Sequence, residues 1–387
     1  MRLLHVIPSL DPRGGGPIEA VRQGGQFLKS RGHDVQVVTL DSKEGMNFND
    51  FPLPVHALGP SRGHYRYSNR LVPWLLQHAP DFDAVVVNGL WQYHALGAWR
   101  AMRHLGRPYH VFTHGMLDPW FKQTYPLKHL KKWMYWPWAD YRVLRDANGV
   151  LFTCEEERRL ARQSFWLYRA NEYVVAFGTS QPPTESGAIR DAFFRLHPEL
   201  YAKRIVLFLG RIHEKKGCDL LVRAFNNVAA AQPGLHLVIA GPDDGDLRPA
   251  LMRLATDNGL SDRITWTGML QGDAKWGAFY ASEVFMLPSH QENFGIAVVE
   301  ALACQLPVLI SDKVNIWREI EVDGAGLVAP DTAAGAQQLL QRWLDLPESE
   351  RLAFRRRAGS SFARRFTVDA MAESLLQVVC KPSAAKA

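Results

Sequence analysis

Along this 387-residue chain, short apolar runs rich in Val, Leu and Ile alternate with longer amphipathic stretches. The alternation pauses once, at GTSQPPTESG (Gly178–Gly187), and then starts again. Strand-like runs of four to eight residues separated by helical patterns are the mark of βαβ units and a parallel sheet. In the first half LLHVIPSL, DVQVVTL, DAVVVNGL, YHVFTHG, GVLFTC and EYVVAF read as strands, with helices over Ile18–Arg31 and Ala95–His104. In the second half RIVLFLGR, LHLVIAGP, ITWTG, VFMLPS, PVLISD and AGLVAP do so, with helices from Asp219, from Leu247 and up to Ser282. The Gly-, Pro- and Ser-rich break between the two arrays reads as a linker. The chain is therefore expected to be α/β, with two doubly wound Rossmann-like domains facing each other across a cleft. At roughly 100–200 residues per domain the length fits two.

Composition narrows the class further. The four cysteines, Cys154, Cys218, Cys304 and Cys380, are scattered without metal-ligand spacing, which fits reduced thiols in a cytoplasmic protein. No apolar run approaches the ~20 residues of a membrane span, and MRLLHVIPSL reads as a first strand rather than a leader. A formal net charge of +6 suits anionic ligands, nucleotides or an acidic membrane among them. No nucleic-acid fold motif accompanies that charge, so nucleic acid is not expected as a partner.

In doubly wound sheets ligands bind beyond the carboxyl ends of the strands, so the loops leaving the strands carry the functional signal. DPRGGGPIEA (Asp11–Ala20) opens a helix with glycines; Gly15 and Gly16 let backbone amides approach a phosphate, or else simply make a tight turn. The dinucleotide fingerprint is broken because Glu19 stands where its third glycine belongs. LGRIHEKKGCD (Leu209–Asp219) puts Gly210 and Arg211 at the end of a strand and Lys216 just before a helix. The two cations form either a clamp for a departing diphosphate or a solvated face. In SHQENFGIAVVEALACQLPVLISD (Ser289–Asp312), Glu292 lies in a loop and Glu300 in an apolar helix that Asn293 is expected to cap. The amides of Phe294 and Gly295 would point out of that helix start toward an anion. Glu292 would reach neutral hydroxyls. Glu300, about two turns further on, would accept from the vicinal hydroxyls of a ribose or else pair with a neighbouring cation. Amides, two cations and two carboxylates together suit a sugar, a diphosphate and a ribose, which make up a nucleotide sugar.

These residues resemble the retaining glycosyltransferases of family 4, which have the GT-B fold, in the form found among bacterial exopolysaccharide and lipopolysaccharide enzymes. GRIHEKKGCDLLVRAF, VIAGPDDG, ITWTGML and the Glu292-x(7)-Glu300 spacing carry the resemblance in the second half. GGGPIEAV and NGLWQYHALGAWRAMRHLGRPYHVFTHGMLDPW carry it in the first. The resemblance implies an N-terminal acceptor-side domain, 1–178, completed by a terminal helix at 365–387, and a nucleotide-sugar-binding domain, 179–364. It implies a sugar moved with retention from a UDP- or GDP-sugar to a glycan acceptor, by front-face displacement. The catalytic group would be His114, Arg211, Lys216 and Glu292, with His114 beside the anomeric carbon. Gly15, Gly16, Gly210, Phe294, Gly295 and Glu300 would bind the donor, and Asn88 and Trp91 would lie on the acceptor side. The sequence has Asn88 where the subgroup usually has histidine, and Phe177-Gly178 where many members have Asn-Gly.

Neither a cofactor nor a metal is expected. Of two Asp-x-Asp triplets, Asp81-x-Asp83 precedes its strand, and Asp244-x-Asp246 lies in a turn. YPLKHLKKWMYWPWADYRVLRDA offers Leu127, Leu130, Met134, Trp138 and Tyr141 at helical spacing, interspersed with lysines and arginines. The stripe either packs into the core or rests with its basic face on an anionic membrane, over 126–145, where a lipid-linked acceptor waits. Pro137 would kink the helix. The location expected is cytoplasmic, with peripheral contact on the inner face of the cytoplasmic membrane. Two other readings fit the same fold: a catalytically inactive GT-B protein that binds glycan or lipid, and a dinucleotide-dependent oxidoreductase.

Overall fold

The computed structural model describes residues 1–12, 15–44, 48–243 and 246–380. It forms two compact units, Met1–Thr179 with the segment from Thr367 onward, and Ser180–Phe366. The return to the first unit thus comes at Thr367 rather than at 365.

The first unit holds a seven-stranded sheet: β1 (Arg2–Ile7), β2 (Asp34–Thr39), β3 (Val55–Ala57), β4 (Ala84–Asn88), β5 (His110–Phe112), β6 (Gly149–Phe152) and β7 (Glu172–Val174). Its order is β3-β2-β1-β4-β5-β6-β7, and every pairing is parallel. Parallel strands are covered by helices on both faces and need continuous apolar runs. AVVVN in β4 and GVLF in β6 are buried throughout. Chain direction across the sheet reverses between β1 and β4, which makes the loops after these strands the topological switch point. β1 ends at Ile7, short of the expected Leu10, because Pro8 cannot donate to the ladder.

The terminal helix Val368–Val379 packs on the first helix, Gly16–Ser30. Met371, Leu375 and Val378 are buried, and Ser374 Oγ accepts from the Ala176 amide at 3.1 Å.

The second unit repeats the plan with β8 (Arg204–Leu209), β9 (Leu235–Ala240), β10 (Ile264–Gly268), β11 (Val284–Leu287), β12 (Val308–Ser311) and β13 (Gly326–Ala329). Its order is β10-β9-β8-β11-β12-β13, again parallel. Its switch point lies between β8 and β11, so the loops carrying Lys216 and Glu292 leave adjacent strands.

Of the two readings open for the aromatic-basic segment, the core helix is the one that fails. Its helix stops at Tyr135, a 3-10 turn spans Trp136–Trp138, and a second helix runs over Asp140–Asp146. No residue of Pro126–Tyr135 is buried. Leu127 is 79% exposed, Leu130 55%, Met134 59% and Trp138 71%, so these four members of the predicted stripe face solvent, while the fifth, Tyr141, packs on the core beside Trp136. Pro137 breaks the helix and turns Trp136 inward instead. Trp136 is fully buried, stacked on Phe165 at 4.3 Å, with its indole N–H donated to the Leu167 carbonyl at 2.8 Å.

Candidate active site

In the C-terminal unit the β8 loop ends at Gly217, whose φ of 64° is left-handed; a Cβ there would lie 2.1 Å from the Pro288 carbonyl oxygen. Only glycine allows the β8 and β11 loops this approach. The His290 amide then donates to the Lys215 carbonyl at 2.9 Å. This registration brings the Lys216 ammonium into contact with the Glu292 carboxylate. Arg211 lies two residues past β8 and is exposed. Gly210 precedes it, its amide donating to the Ala240 carbonyl at 2.9 Å.

Glu292 is held from behind by the β12 loop, through its amide to Lys313 O at 2.9 Å and its carbonyl from Asn315 N at 3.0 Å. Asn293 does not cap the next helix. Gly295 does, at φ 78°, because a left-handed N-cap lets the chain turn without a Cβ pressing on Val298, 3.1 Å away. Phe294 buries its ring edge-on against Phe366 at 5.9 Å, which leaves its backbone as the part able to serve a ligand. In the helix Ile296–Ala303 that follows, Glu300 is buried and accepts from Lys275 Nζ at 2.6 Å. The neighbouring cation is thus Lys275, on the helix Gly272–Ala281.

Burial, with Lys215 and Arg211 adding like charge, pulls the Lys216 ammonium down to about 7, while the Glu292 carboxylate beside it opposes that shift. Three cations on one short loop are a site whose repulsion an arriving polyanion relieves.

In the N-terminal unit, Gly15 is the N-cap of the first helix and Gly16 its first residue. The loop between β1 and this helix is braced by a carboxylate that sequence reasoning missed. Asp41, buried just past β2, accepts from the Leu10 amide and the Thr39 hydroxyl, both at 2.7 Å, from Ser9 Oγ at 2.8 Å and from Arg66 at 2.9 Å. His114, two residues past β5, has a left-handed φ of 49°, uncommon for a residue with a Cβ and found most often where surrounding structure enforces it. A second missed carboxylate enforces it here. Glu157 Oε1 accepts from Thr113 Oγ1 at 2.7 Å and the Gly115 amide at 2.6 Å, so the residues on both sides of His114 are tied down. Its Oε2 accepts from the Thr153 amide and hydroxyl at 2.7 and 2.6 Å. Both acids follow strands, which is the only sequence signal they give; the span each bridges is tertiary.

Burial, and then the like charge of His5, push the His114 imidazole down to about 3. Asn88, expected on the acceptor side, is buried behind His114, with its side-chain oxygen 3.2 Å from His114 Nε2. Trp91 also has its polar atoms occupied. Its amide donates to Asp140 at 3.0 Å and its indole N–H to Met116 O at 3.1 Å, while the Lys132 ammonium lies over the ring at 4.5 Å. Asp83 accepts from the Arg2 amide at 2.7 Å, at the amino ends of β1 and β4 and away from the loops above. Asp244 lies outside the described residues. Among the described residues no group of three His, Cys, Asp or Glu side chains is placed to hold a metal ion, and no helix is long and apolar enough to cross a membrane.

Comparison with known proteins places these loops in context. The family described as Glycosyl transferases group 1 matches residues 190–360, and the Glycosyl transferase 4-like domain matches residues 15–178. The chain is 29% identical over 219 residues to the alpha-D-kanosaminyltransferase of Streptomyces kanamyceticus, a stretch covering 56% of each chain. It is 38% identical over 177 residues to the D-inositol 3-phosphate glycosyltransferase of Mycolicibacterium smegmatis, covering 44% of this chain and 39% of that one. The chain thus spans about half or less of the length of the curated relatives it matches. Among solved structures, Anabaena HepE in complex with UDP and glucose superposes with a TM-score of 0.76 at 17% identity, over 99% of this chain and 100% of that one. WaaG, a glycosyltransferase involved in lipopolysaccharide biosynthesis, does so with a TM-score of 0.68 at 15% identity, over 98% of this chain and 100% of that one. With one family domain matched to each structural unit, the chain belongs to the group 1 glycosyltransferases of GT-B fold.

Proposed function

We propose that this protein is a retaining, metal-independent glycosyltransferase that moves a sugar from a UDP- or GDP-sugar to a lipid-linked glycan in cell-surface polysaccharide synthesis. The observation that carries the reading is the contact of Lys216 with Glu292 at the switch point of the C-terminal sheet, one helix start away from the Glu300–Lys275 pair. Lys216 and Arg211 take the diphosphate, Glu292 the sugar hydroxyls, and Glu300 the ribose. Gly15, Gly16 and Gly210 supply close backbone approach to the donor. In the reaction the bond from the anomeric carbon to the diphosphate oxygen breaks, and the acceptor oxygen bonds to the same face of the carbon. The acceptor's proton passes to the departing diphosphate. Catalysis is then positioning plus charge stabilisation of the leaving group. Carboxylates and ammonium groups suffice for this without a divalent ion.

A melting experiment tests the donor half. With UDP or GDP at about 100 times its dissociation constant and no added metal, the protein gains roughly 2.7 kcal/mol of stability. Glu300→Ala loses most of that gain. A shift with NAD alone, or with no nucleotide at all, would return the oxidoreductase or inactive-protein reading to the front.

The lipid-linked acceptor rests on the face formed by Leu127, Leu130, Met134 and Trp138, with Trp166 68% exposed nearby and Lys128 and Lys131 on the same short helix. Exposed apolar side chains among cations suit the interface of an anionic bilayer. The protein is expected to float with vesicles containing phosphatidylglycerol and to stay in solution with phosphatidylcholine alone. Replacing Leu127, Met134 and Trp138 together by serine should abolish flotation while leaving the nucleotide-induced melting shift intact. The names of the curated relatives, which point to inositol phosphate and kanosaminyl transfer, favour a second reading, a small soluble polyol acceptor. Absence of flotation in the unaltered protein would select it.

A further inference from the structure

We infer that Asn88 is a positioning residue that fixes the tautomer of His114, so that the imidazole keeps its proton on Nε2 and leaves Nδ1 a bare acceptor. The inference follows from three side chains, buried Asn88 and His5 and half-buried His114, that line one end of a cavity walled otherwise by apolar groups such as Leu28, Phe177 and Leu375. Asn88 Nδ2 lies 3.2 Å from the Val86 carbonyl oxygen. A carbonyl oxygen only accepts, so this side of the amide must be its NH2 and the other side its oxygen. That oxygen faces His114 Nε2 at 3.2 Å and can only accept, so the ring proton of His114 sits on Nε2. The same NH2 group faces His5 Nδ1 at 3.2 Å, which must therefore be unprotonated and leaves the proton of His5 on its Nε2. One amide thus sets the tautomers of two histidines.

The residue that carries this amide is held at its backbone. Its backbone carbonyl accepts from the buried His94 Nε2 at 2.9 Å, and the next amide, of Gly89, donates to the Phe112 carbonyl at 2.8 Å. The His114 ring is fixed as well, stacked on Phe112 with centroids 4.9 Å apart and met edge-on by Phe177 at 6.1 Å. A ring of this kind accepts a hydrogen bond from a hydroxyl and repels a phosphate oxygen, which has no proton to give.

The test is nitrogen NMR of the full chain labelled with 15N-histidine, with His114→Gln identifying the His114 signals. At pH 7 His114 should show a pyrrole-like Nε2 and a pyridine-like Nδ1. Asn88→Leu, which removes the acceptor, should convert this to a mixture of both tautomers. Asn88→Asp should keep His114 unchanged, because a carboxylate still accepts from Nε2–H, and should switch His5 to its Nδ1–H form, because the NH2 donor is gone. A purely steric role for Asn88 predicts neither the switch at His5 nor its restriction to one histidine. An Nδ1–H form of His114 in the unaltered protein overturns the inference, as does an unchanged His5 in Asn88→Asp. The latter variant decides the matter even where Asn88→Leu does not fold. The spectra require no donor or acceptor, so this result stands apart from the nucleotide melting test, and each can fail without the other.

Discussion

Replacing Lys216 by alanine is expected to lower kcat/KM for the nucleotide sugar by about 10²–10³-fold, or roughly 2.7–4 kcal/mol of transition-state stabilisation. The loss is larger than that for a surface cation because Lys216 is held in a mostly buried position against Glu292, on a loop whose end only glycine can make. The same site predicts a pH dependence with a definite sign. Burial, Lys215 and Arg211 lower the Lys216 ammonium to about 7 in the unliganded protein. A diphosphate binds the charged form, and its own charge raises the ammonium's affinity for the proton again. Binding is therefore favoured where the ammonium is charged and weakens as pH rises through its unliganded range near 7, by up to about tenfold per pH unit. Isothermal titration with UDP or GDP between pH 6 and 9 measures this slope. Lys216→Arg, which stays charged throughout, should flatten the slope while retaining much of the affinity. Lys216→Ala should flatten it at a uniformly weaker affinity. A slope that survives both replacements would assign the proton to another group and sink the clamp.

How far the sequence reaches can be judged from these same loops. Two parallel sheets were legible because strands buried on both faces must be continuously apolar, and AVVVN or LHLVIA cannot be read otherwise. The break at Gly178–Gly187 was legible from its glycine, proline and hydroxyl residues, although Gly178 and Thr179 at its start are buried. Lys216 and Glu292 could be named as candidates because each lies in a loop leaving a strand, but their contact could not, since it depends on β8 and β11 being neighbours. Asn293 was misjudged as a cap because capping preferences describe side-chain oxygens, whereas here a left-handed glycine takes over the turn. The stripe from Leu127 to Trp138 was ambiguous for a different reason. Helical spacing of apolar residues says that they share a face, and only the tertiary structure says whether protein covers it. Lys275, Asp41 and Glu157 were invisible: each is an ordinary charged residue in sequence whose partners arrive from distant loops.

Glu157→Ala is expected to destabilise the N-terminal unit by about 3–5 kcal/mol, the cost of breaking a buried charged network by removing one member. The carboxylate sits on the first turn of the helix Glu155–Ala161 and is 4% exposed. It accepts four hydrogen bonds from two loops. Without it the Thr113 and Thr153 hydroxyls and the Gly115 and Thr153 amides lose a partner where little water can replace it. At about 2–4 °C per kcal/mol for domains of roughly 150–250 residues, the melting temperature should fall by roughly 6–20 °C. Glu157→Gln separates the two loops. Its single carbonyl oxygen can serve one pair of donors, and its NH2 group opposes the other, so a smaller loss, about half, is expected. Hydrogen exchange then reports which loop is released, through faster exchange at the Gly115 amide or at Thr153. Loosening at Gly115 removes the support that keeps His114 in its left-handed conformation, so sugar transfer should decline at temperatures where the variant is still folded. A melting temperature within about 1 °C of the unaltered protein, with exchange at Gly115 unchanged, would show that Glu157 does not hold the His114 loop.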